Sequence, residues 1–382
     1  MREYKNIIRK FCILFLTVII ISSNSCGAKQ AHNEYITIGA LLPLTGKDSD
    51  EGFRALNGLY LAKEEINKNG GIMGKKLDVI ILNDRGDEEY VVQQYNKLKE
   101  MGVTAVIGSS YSNVTIALAK AAEKDGIPVI SPTASNPDVT KGRKNVFRAI
   151  FIDDYQAEVM AYFARNSLNA KTAVVFKNKT HDGFNQLVEI FSESFRERGG
   201  RIIAEEPYST WKDFADILRK YANNPPDVIF CPEDFVPAAK LINAAREAGL
   251  VNTHILGSDA WDGFLTYIYQ PDKMKNVYYS APFSFDDQDE NVVRFVRKYF
   301  DCFSQMPLSS SATAYTSVYI LSEAIKKAGS VERNAFVSAI KENELDSITG
   351  HIRFDENNNP HTNVYIIHIQ DGEYSTYQKL SL

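Results

Sequence analysis

Short apolar strands alternate with amphipathic helices along most of this chain, and this alternation restricts its fold more than any other feature. The first strand is predicted at Tyr35–Leu42, and apolar residues at helical spacing predict a helix after it. These helical residues are Phe53, Leu56, Leu59, Tyr60 and Ile66. Gly70 and Gly71 are expected to end the helix. Further strands are predicted at Leu77–Leu82, Val103–Ile107, Pro128–Ile130, Thr172–Phe176, Asp227–Cys231 and His254–Leu256. The pattern predicts an α/β fold with doubly wound parallel sheets that helices cover on both faces.

The amino terminus is typical of an export signal. A basic start, with Arg2, Lys5, Arg9 and Lys10, precedes the apolar stretch Phe11–Ile21 and a small polar stretch that ends at Cys26. The apolar stretch is shorter than the ~20 residues that a membrane-spanning helix needs. The segment resembles a bacterial lipoprotein signal, although Ser23 stands where leucine is usual. We therefore expect a signal peptide at 1–25, a lipid on Cys26 as the membrane anchor, and a polar tether at 26–34; plain secretion is the alternative.

The remaining chain has the length and charge of a soluble, acidic protein. About 355 residues exceed the ~100 to 200 of one domain, which predicts two lobes. Removal of residues 1–25 takes away four basic residues and one acidic residue, so the net charge falls from −5 to −8. This balance gives no reason to expect nucleic acid as a partner.

The motifs of common enzymes and metal sites do not occur in the sequence. There is no HExxH and no GxSxG, and the six histidines do not cluster at metal-ligand spacings. Beyond Cys12 and Cys26 only Cys231 and Cys302 remain, and a buried role is predicted for both. We therefore expect no enzyme, no cofactor and no metal; an amidase or esterase on an α/β scaffold would have to show turnover.

The segments that follow the predicted strands are unusually polar, and ligands of such sheets bind at the carboxyl ends of the strands. The segments are 108–113, 131–137, 177–183, 232–234 and 257–261. The first two offer hydroxyls and the amino ends of helices, which suit an anion. The last two offer carboxylates, which suit a cation. A ligand that carries both charges, such as an amino acid, would satisfy the set.

Several separate stretches together resemble one known family. They are Ile38-Gly39 to Pro43-Leu44-Thr45-Gly46, Glu65-Ile66-Asn67, Gly70-Gly71-Ile72, Val106-Ile107-Gly108, Ile130-Ser131-Pro132 to Asn136-Pro137, Gly257-Ser258-Asp259, Ala314-Tyr315 and Gly350-His351-Ile352-Arg353-Phe354-Asp355. In this order they resemble the type I periplasmic binding proteins, specifically the leucine/isoleucine/valine-binding branch. The resemblance implies two lobes, joined by three crossing strands, that close on a ligand by hinge bending. It places the first lobe at 35–150 and 284–352, and the second at 151–283 and 353–382.

The resemblance also implies four ligand contacts. Ser112 would hold the ligand carboxylate through its hydroxyl and amide, and the Ser135 hydroxyl would add to this. The Ala134 carbonyl would accept from the ligand ammonium, and Asp259 would pair with it. The alternatives are a helix cap for Ser112 and Asp259 and a plain turn residue for Ser135.

The positions that would surround the ligand side chain depart from the family pattern. Glu51 and Asp234 stand where aromatic residues are frequent, His181 replaces a common tyrosine, and Tyr111 precedes the key serine. If Glu51 and Asp234 line the pocket, they favour a ligand with a polar or cationic side chain. If they are solvated loop residues, the ligand can have the aliphatic side chain that is usual in the family. Trp261 is expected at the edge of the cleft, against either ligand or lobe.

The resemblance implies two functions that the sequence leaves open. In the first, the protein is the solute receptor of an amino-acid ABC importer, and its partners are the membrane permease subunits. In the second, it is a sensor that presents its liganded form to a chemoreceptor or signalling protein, because one fold serves both roles. Permease and ATPase genes beside its own would favour import. We expect a monomer in either case.

Overall fold

The strands and helices alternate as predicted in the computed structural model, which describes residues 34–46, 49–180, 182–263 and 274–381. The signal peptide and Cys26 lie outside the described residues. The strands are β1 Tyr35–Leu42, β2 Lys76–Asn83, β3 Val106–Ile107, β4 Val129–Ser131, β5 Val146–Arg148, β6 Thr172–Asn178, β7 Arg201–Tyr208, β8 Val228–Phe230, β9 His254–Gly257, β10 Val277–Ala281, β11 Glu344–Ser347, β12 Gly350–Phe354, β13 Pro360–His361, β14 Val364–Gln370 and β15 Glu373–Leu380. The α-helices are α1 Ser49–Lys68, α2 Glu88–Glu100, α3 Ser112–Asp125, α4 Asp153–Tyr162, α5 Asn185–Glu197, α6 Phe214–Arg219, α7 Phe235–Glu247, α8 Glu290–Phe303, α9 Ser309–Ala328 and α10 Arg333–Lys341.

The first sheet is parallel and is covered on both faces. Its strand order is β2-β1-β3-β4-β5, and β1 pairs with β3, β3 with β4, and β4 with β5 in parallel register. Along β1, Ile38 and Leu42 pack into one apolar core while Leu41 packs into another. Successive side chains of a strand point to opposite faces, so two buried faces require apolar residues at consecutive positions, as the sequence shows from Ile38 to Leu42.

The second sheet is mixed, with a parallel part and an antiparallel part. Its order is β15-β14-β10-β9-β8-β6-β7; the strands from β7 to β10 pair in parallel, whereas β14 pairs with β10 and β15 in antiparallel register. The strand–helix alternation did not indicate β14 and β15, since no helix separates them. Asp371 and Gly372 connect them with positive φ angles of 53° and 86°, which suits a tight hairpin turn.

The described chain passes three times between the half of the molecule that holds the first sheet and the half that holds the second. Strands β11, β12 and β13 form a separate antiparallel sheet, and Ile352 and Phe354 of β12 pack into the same apolar core as Ile38 of β1. The first passage follows β5 at 149–152, the second follows β10 at 282–289, and the third leads from β13 to β14 at 362–363. Two doubly wound lobes with three connections confirm the predicted fold class. The boundaries assigned to each lobe from the sequence stay a prediction.

Helix α1 comes closest to α9 at a glycine, and two aromatic residues that helped to predict the helix lie away from this contact. A Cβ on Gly58 would lie only 2.0 Å from the Ser311 carbonyl oxygen, so the two helix backbones approach closely. Phe53 and Tyr60 instead lie at the surface, with 49% and 51% of their area exposed. Helical spacing therefore located the helix and placed Leu56, Leu59 and Ile66 against the core correctly, but it wrongly added Phe53 and Tyr60 to the buried face.

The two later cysteines differ in burial. Cys231 is buried in the core of the second sheet, as predicted. The prediction for Cys302 is wrong, because this residue is exposed. It lies in the last turn of α8, whose buried face is formed by Val292, Phe295 and Tyr299.

Candidate functional site

The loop after β3 delivers the chain into the amino end of α3. Tyr111 occupies the N-cap position without a side-chain cap, and Ser112 is the first helical residue. The Ser112 hydroxyl accepts a hydrogen bond of 3.3 Å from the Asn136 amide of the next loop, so Ser112 does not act as the helix cap. The first amides of a helix lack partners within the helix, and their positive end favours an anion.

The loop after β4 is held by hydrogen bonds from Arg148, the last residue of β5. This guanidinium is fully buried, and it donates to the carbonyls of Ala134 and Asn136, each at 2.8 Å, and to the Thr140 hydroxyl at 3.1 Å. Burial lowers the pKa of Arg148 to about 10, while the carboxylate of Asp153 acts in the opposite direction. The arginine fixes the backbone that carries Ala134 and Ser135. Ala134 itself is buried.

Ser135 connects this loop to the start of α4, on the side of the second sheet. The Asp153 amide donates to the Ser135 carbonyl at 3.0 Å, and the Ser135 side chain is hydrogen-bonded to the Asp153 carboxylate. Asp153 is buried, and desolvation raises its pKa despite these bonds. Ser135 therefore contacts a residue of the second half of the molecule and is more than a turn residue.

Asp259, after β9, is held by Gln156 of α4. The Gln156 Nε2 donates to Asp259 Oδ1 at 2.9 Å, and the Asp259 amide donates to Gln156 Oε1 at 3.2 Å. Burial raises the pKa of Asp259 to about 7, and the carboxylates of Asp153 and Asp262 act in the same direction. Asp259 begins a short 3₁₀ turn, and its neighbour Ser258 is the N-cap residue. A carboxylate among other carboxylates is a strong site for a cation.

A second acid lies after β8, next to the one that the sequence singled out. Glu233 is 5% exposed and accepts from Asn178 Nδ2 at 2.8 Å, from the Tyr208 hydroxyl, and from the Asp234 amide at 3.1 Å. Asp234 is exposed, and it occupies the N-cap position of α7. The buried acid of this loop therefore has three donors, and the acid named from the sequence faces water.

The remaining predicted site residues fall into different settings. Glu51 is half-buried in the first turn of α1, and Tyr111 is half-buried beside Gly86. His181 lies outside the described residues. Trp261 is buried in the core of the second sheet, where a Cβ on Gly257 would meet its ring at 2.2 Å. Its contact is thus with the lobe.

Arg148, Asp153, Gln156 and Glu233 take part in these networks without having been singled out from the sequence. Glu233 lies in one of the polar loops that the sequence indicates. The other three residues lie in a strand or a helix, outside these polar loops. A buried charged residue inside a strand or helix produces no recognisable local sequence pattern, because its hydrogen-bond partners are distant along the chain. A polar residue such as Gln156 on the inward face of an apolar helix was the available signal.

Two further properties concern metals and membranes. Among the described residues, no three or more His, Cys, Asp or Glu side chains are grouped so that they could hold a metal ion. None of the helices within those residues is long and apolar enough to cross a membrane.

Comparison with known proteins places the chain in a family. Residues 35–373 match the family described as periplasmic binding protein, and the chain belongs to it. It is 28% identical to the Leu/Ile/Val-binding protein BraC3 of Rhizobium johnstonii, over 89% of this chain and 92% of that one. It is 25% identical to the leucine-, isoleucine-, valine-, threonine- and alanine-binding protein of Pseudomonas aeruginosa, over 84% and 86% of the two chains.

Solved structures agree with the fold. The branched-chain amino acid transporter substrate-binding protein LivJ of Streptococcus pneumoniae, in complex with isoleucine, superposes with a TM-score of 0.82 at 26% identity and covers 91% of this chain and 100% of its own. The resemblance seen in the sequence is thereby confirmed. The family binds solutes and is not a family of enzymes, which confirms that prediction too.

Proposed function

We propose that the mature protein binds an α-amino acid between its two lobes and delivers it to the permease of an ABC importer from outside the cytoplasm. A lipid on Cys26 would hold it at the membrane. The names of its relatives support an amino-acid ligand and an ABC transporter. The lipid anchor is proposed from the amino-terminal sequence pattern, and the delivery to a permease is proposed from the similarity to the relatives.

The observation that carries the proposal is the half-buried carboxylate of Asp259, whose pKa is raised by desolvation and by the neighbouring carboxylates of Asp153 and Asp262. A carboxylate in such surroundings gains most from a ligand that brings a positive charge. The ligand ammonium would lie against Asp259, and its carboxylate would lie against the amino end of α3 with the hydroxyls of Ser112 and Ser135. Opposite charges at the two ends of the site match an amino acid.

The bond from Arg148 limits how many hydrogen bonds the Ala134 carbonyl can accept from a ligand. The Ala134 carbonyl oxygen already accepts from Arg148 Nη1 at 2.8 Å. A carbonyl oxygen has two lone pairs, so one acceptor direction is left for the ligand ammonium. Asp259 would then carry most of the ammonium recognition, because it supplies the negative charge.

The acids at the side-chain positions have a structural explanation that favours an aliphatic ligand. Glu51 lies in the first turn of α1 and Asp234 at the N-cap of α7, and carboxylates at both places are stabilised by the helix dipole. Neither position requires a cationic ligand. We propose leucine, isoleucine or valine as the first ligands to test, with His181 and Tyr111 as further residues near the ligand side chain.

A thermal-shift screen of the protein without its signal peptide, against the common amino acids, tests the proposal. A ligand that binds only the folded state stabilises it by ~2.7 kcal/mol at a hundredfold excess over Kd. We expect aliphatic amino acids to raise the Tm of the wild type and to raise that of Asp259→Asn much less or not at all. Shifts with arginine, lysine or glutamine alone would show that Glu51 and Asp234 select the ligand. No shift with any amino acid would refute the proposal.

The anchor needs a separate experiment. We expect the wild type to be recovered with membranes and to incorporate a labelled fatty acid, and Cys26→Ala to do neither. A Cys26→Ala variant that stays in the membrane fraction would contradict lipidation at this residue.

A further inference from the structure

The side chain of Gln156 uses its full hydrogen-bonding capacity in one buried place. Its Nε2 donates to Asp153 Oδ1 and to Asp259 Oδ1, each at 2.9 Å. Its Oε1 accepts from the Ser280 hydroxyl at 2.8 Å and from the Asp259 amide at 3.2 Å. The residue is fully buried. An amide that meets two acceptors on one side and two donors on the other has only one orientation that satisfies all four.

Two of these four bonds go to Asp259, one to its carboxylate and one to its main chain. Asp259 is thereby fixed in both position and rotation, which is what recognition of a small charged group requires. Gln156 donates one hydrogen bond to the Asp259 carboxylate and brings no charge. A lysine or arginine here would neutralise Asp259 and compete with a ligand ammonium, whereas an amide leaves the negative charge available.

The third bond continues the connection toward the first lobe. Asp153 receives Gln156 on one side and is bonded through its main chain and carboxylate to Ser135, on the loop after β4. Asp153 and Gln156 lie in α4, which packs on the second sheet through Ala157, Val159 and Met160. The chain of bonds from Asp259 to Ser135 thus joins the residue proposed for the ligand ammonium to one proposed for its carboxylate.

We infer that Gln156 is a positioning residue for ligand recognition, which holds Asp259 in place for the ammonium group and links it through Asp153 to Ser135. This inference rests on the proposed function. Gln156 itself need not touch the ligand, since its four partners occupy it.

The charges around Asp259 give the inference a measurable signature. The groups that act on it from the elements packed against it are the acids Asp153 and Asp262, which raise its pKa, and the amide of Gln156, which lowers it by bonding to the charged form. The loss of that amide must therefore raise the pKa of Asp259 above its value of about 7. Ligand affinity should then decline at a higher pH than in the wild type.

The experiment measures the pKa of Asp259 by carboxyl ¹³C NMR without ligand, and Kd by calorimetry between pH 5.5 and 9. For Gln156→Ala we expect a higher pKa and an affinity loss of roughly tenfold at pH 9, which becomes larger near pH 6.5. Gln156→Glu has a side chain of the same shape but adds a negative charge, so it should raise the pKa of Asp259 further. Ser280→Ala removes only the bond that steadies Oε1, so it should cause a smaller change in the same direction and serves if the other variants do not fold.

Asn145→Ala is the matched control. Asn145 is also a buried amide, with bonds to the carbonyls of Ala122 and Ile127 at 3.1 and 2.7 Å, far from Asp259 along the chain. This variant should lower the Tm without moving the pKa of Asp259 or the pH profile of Kd. The same pKa in Gln156→Ala as in the wild type, or an affinity loss equal at all pH values, would overturn the inference. If the wild type binds no amino acid, the proposed function fails and the role in recognition fails with it, and the NMR titration still shows whether Gln156 controls the pKa of Asp259.

Discussion

Replacement of Asp259 by asparagine should have opposite effects on binding and on stability. Asparagine keeps the Oδ1 acceptor that Gln156 Nε2 contacts at 2.9 Å, but it removes the negative charge. Loss of one member of a close charge pair costs ~2 to 5 kcal/mol, so amino-acid affinity should fall by at least about thirtyfold. The unliganded variant should nevertheless be more stable than the wild type at pH 8.

The sign and size of the stability gain follow from the pKa of Asp259. Burial and the carboxylates of Asp153 and Asp262 raise it from 3.8 to about 7 in the folded protein. The folded state therefore holds the proton more tightly than the unfolded state, and stability is lost as pH rises from about 4 to about 7. At ~1.36 kcal/mol for each pKa unit, the cost above pH 7 is at most about 4 kcal/mol, and less because Asp259 is only half-buried.

Urea unfolding of both proteins at several pH values between 4 and 8 measures this gain. The difference in unfolding free energy should be close to zero near pH 4 and grow up to pH 7. Asp227→Asn is a control of opposite sign: burial raises the Asp227 pKa, but bonds from the Lys171 and Thr172 amides outweigh this and lower it overall. That variant should lose stability at pH 8, and the loss should shrink in acid. An Asp259→Asn variant that is no more stable than the wild type at pH 8 would refute the reasoning.

Three further predictions concern binding and packing. Affinity for the amino acid should fall about tenfold from pH 8 to pH 6, because Asp259 must lose its proton to bind an ammonium group; calorimetry that shows a constant Kd would contradict this. Ser135→Ala should weaken binding by only ~0.5 to 1.5 kcal/mol, since a single neutral donor is lost, and a complete loss in the same titration would contradict this. Arg148→Met removes three hydrogen bonds and leaves the Ala134 carbonyl without this donor, so it should lower the free energy of unfolding by about 3 kcal/mol or more. Gly58→Ala forces α1 away from α9 and should lower the free energy of unfolding by ~1 to 3 kcal/mol; urea unfolding with unchanged midpoints would oppose both predictions.

The sequence was sufficient for the fold class and for the polar loops at the carboxyl ends of the strands, where we propose that the ligand binds. A strand buried on both faces must be apolar at consecutive positions, as β1 is, and a helix must repeat its apolar residues at a period of 3.6. Both patterns involve only residues that are close together in the chain, so the sequence alone reveals them. The polar loops after β3, β4, β8 and β9 could be found for the same reason, because each follows directly on its strand.

The sequence was insufficient where a property depends on which faces meet. Phe53 and Tyr60 lie at helical spacing but are exposed, because α9 approaches α1 at Gly58 and not at these two residues. Cys302 is exposed because α8 buries another part of its surface. The register of β14 with β10 pairs Val277 with Ile369, and no local pattern contains that pairing.

The sequence by itself therefore determined the α/β architecture, the order of the elements and the candidate loops for an amino acid. Only the tertiary structure showed that Gln156 bonds to Asp259, 103 residues away, and to Ser280, 124 residues away, and that Arg148 supports the Ala134 loop. The physical reason is that the apolar pattern of a strand or helix is set by the side chains of neighbouring residues in the chain. Satisfaction of a buried polar group is a property of a pair, and the fold alone brings the two members together.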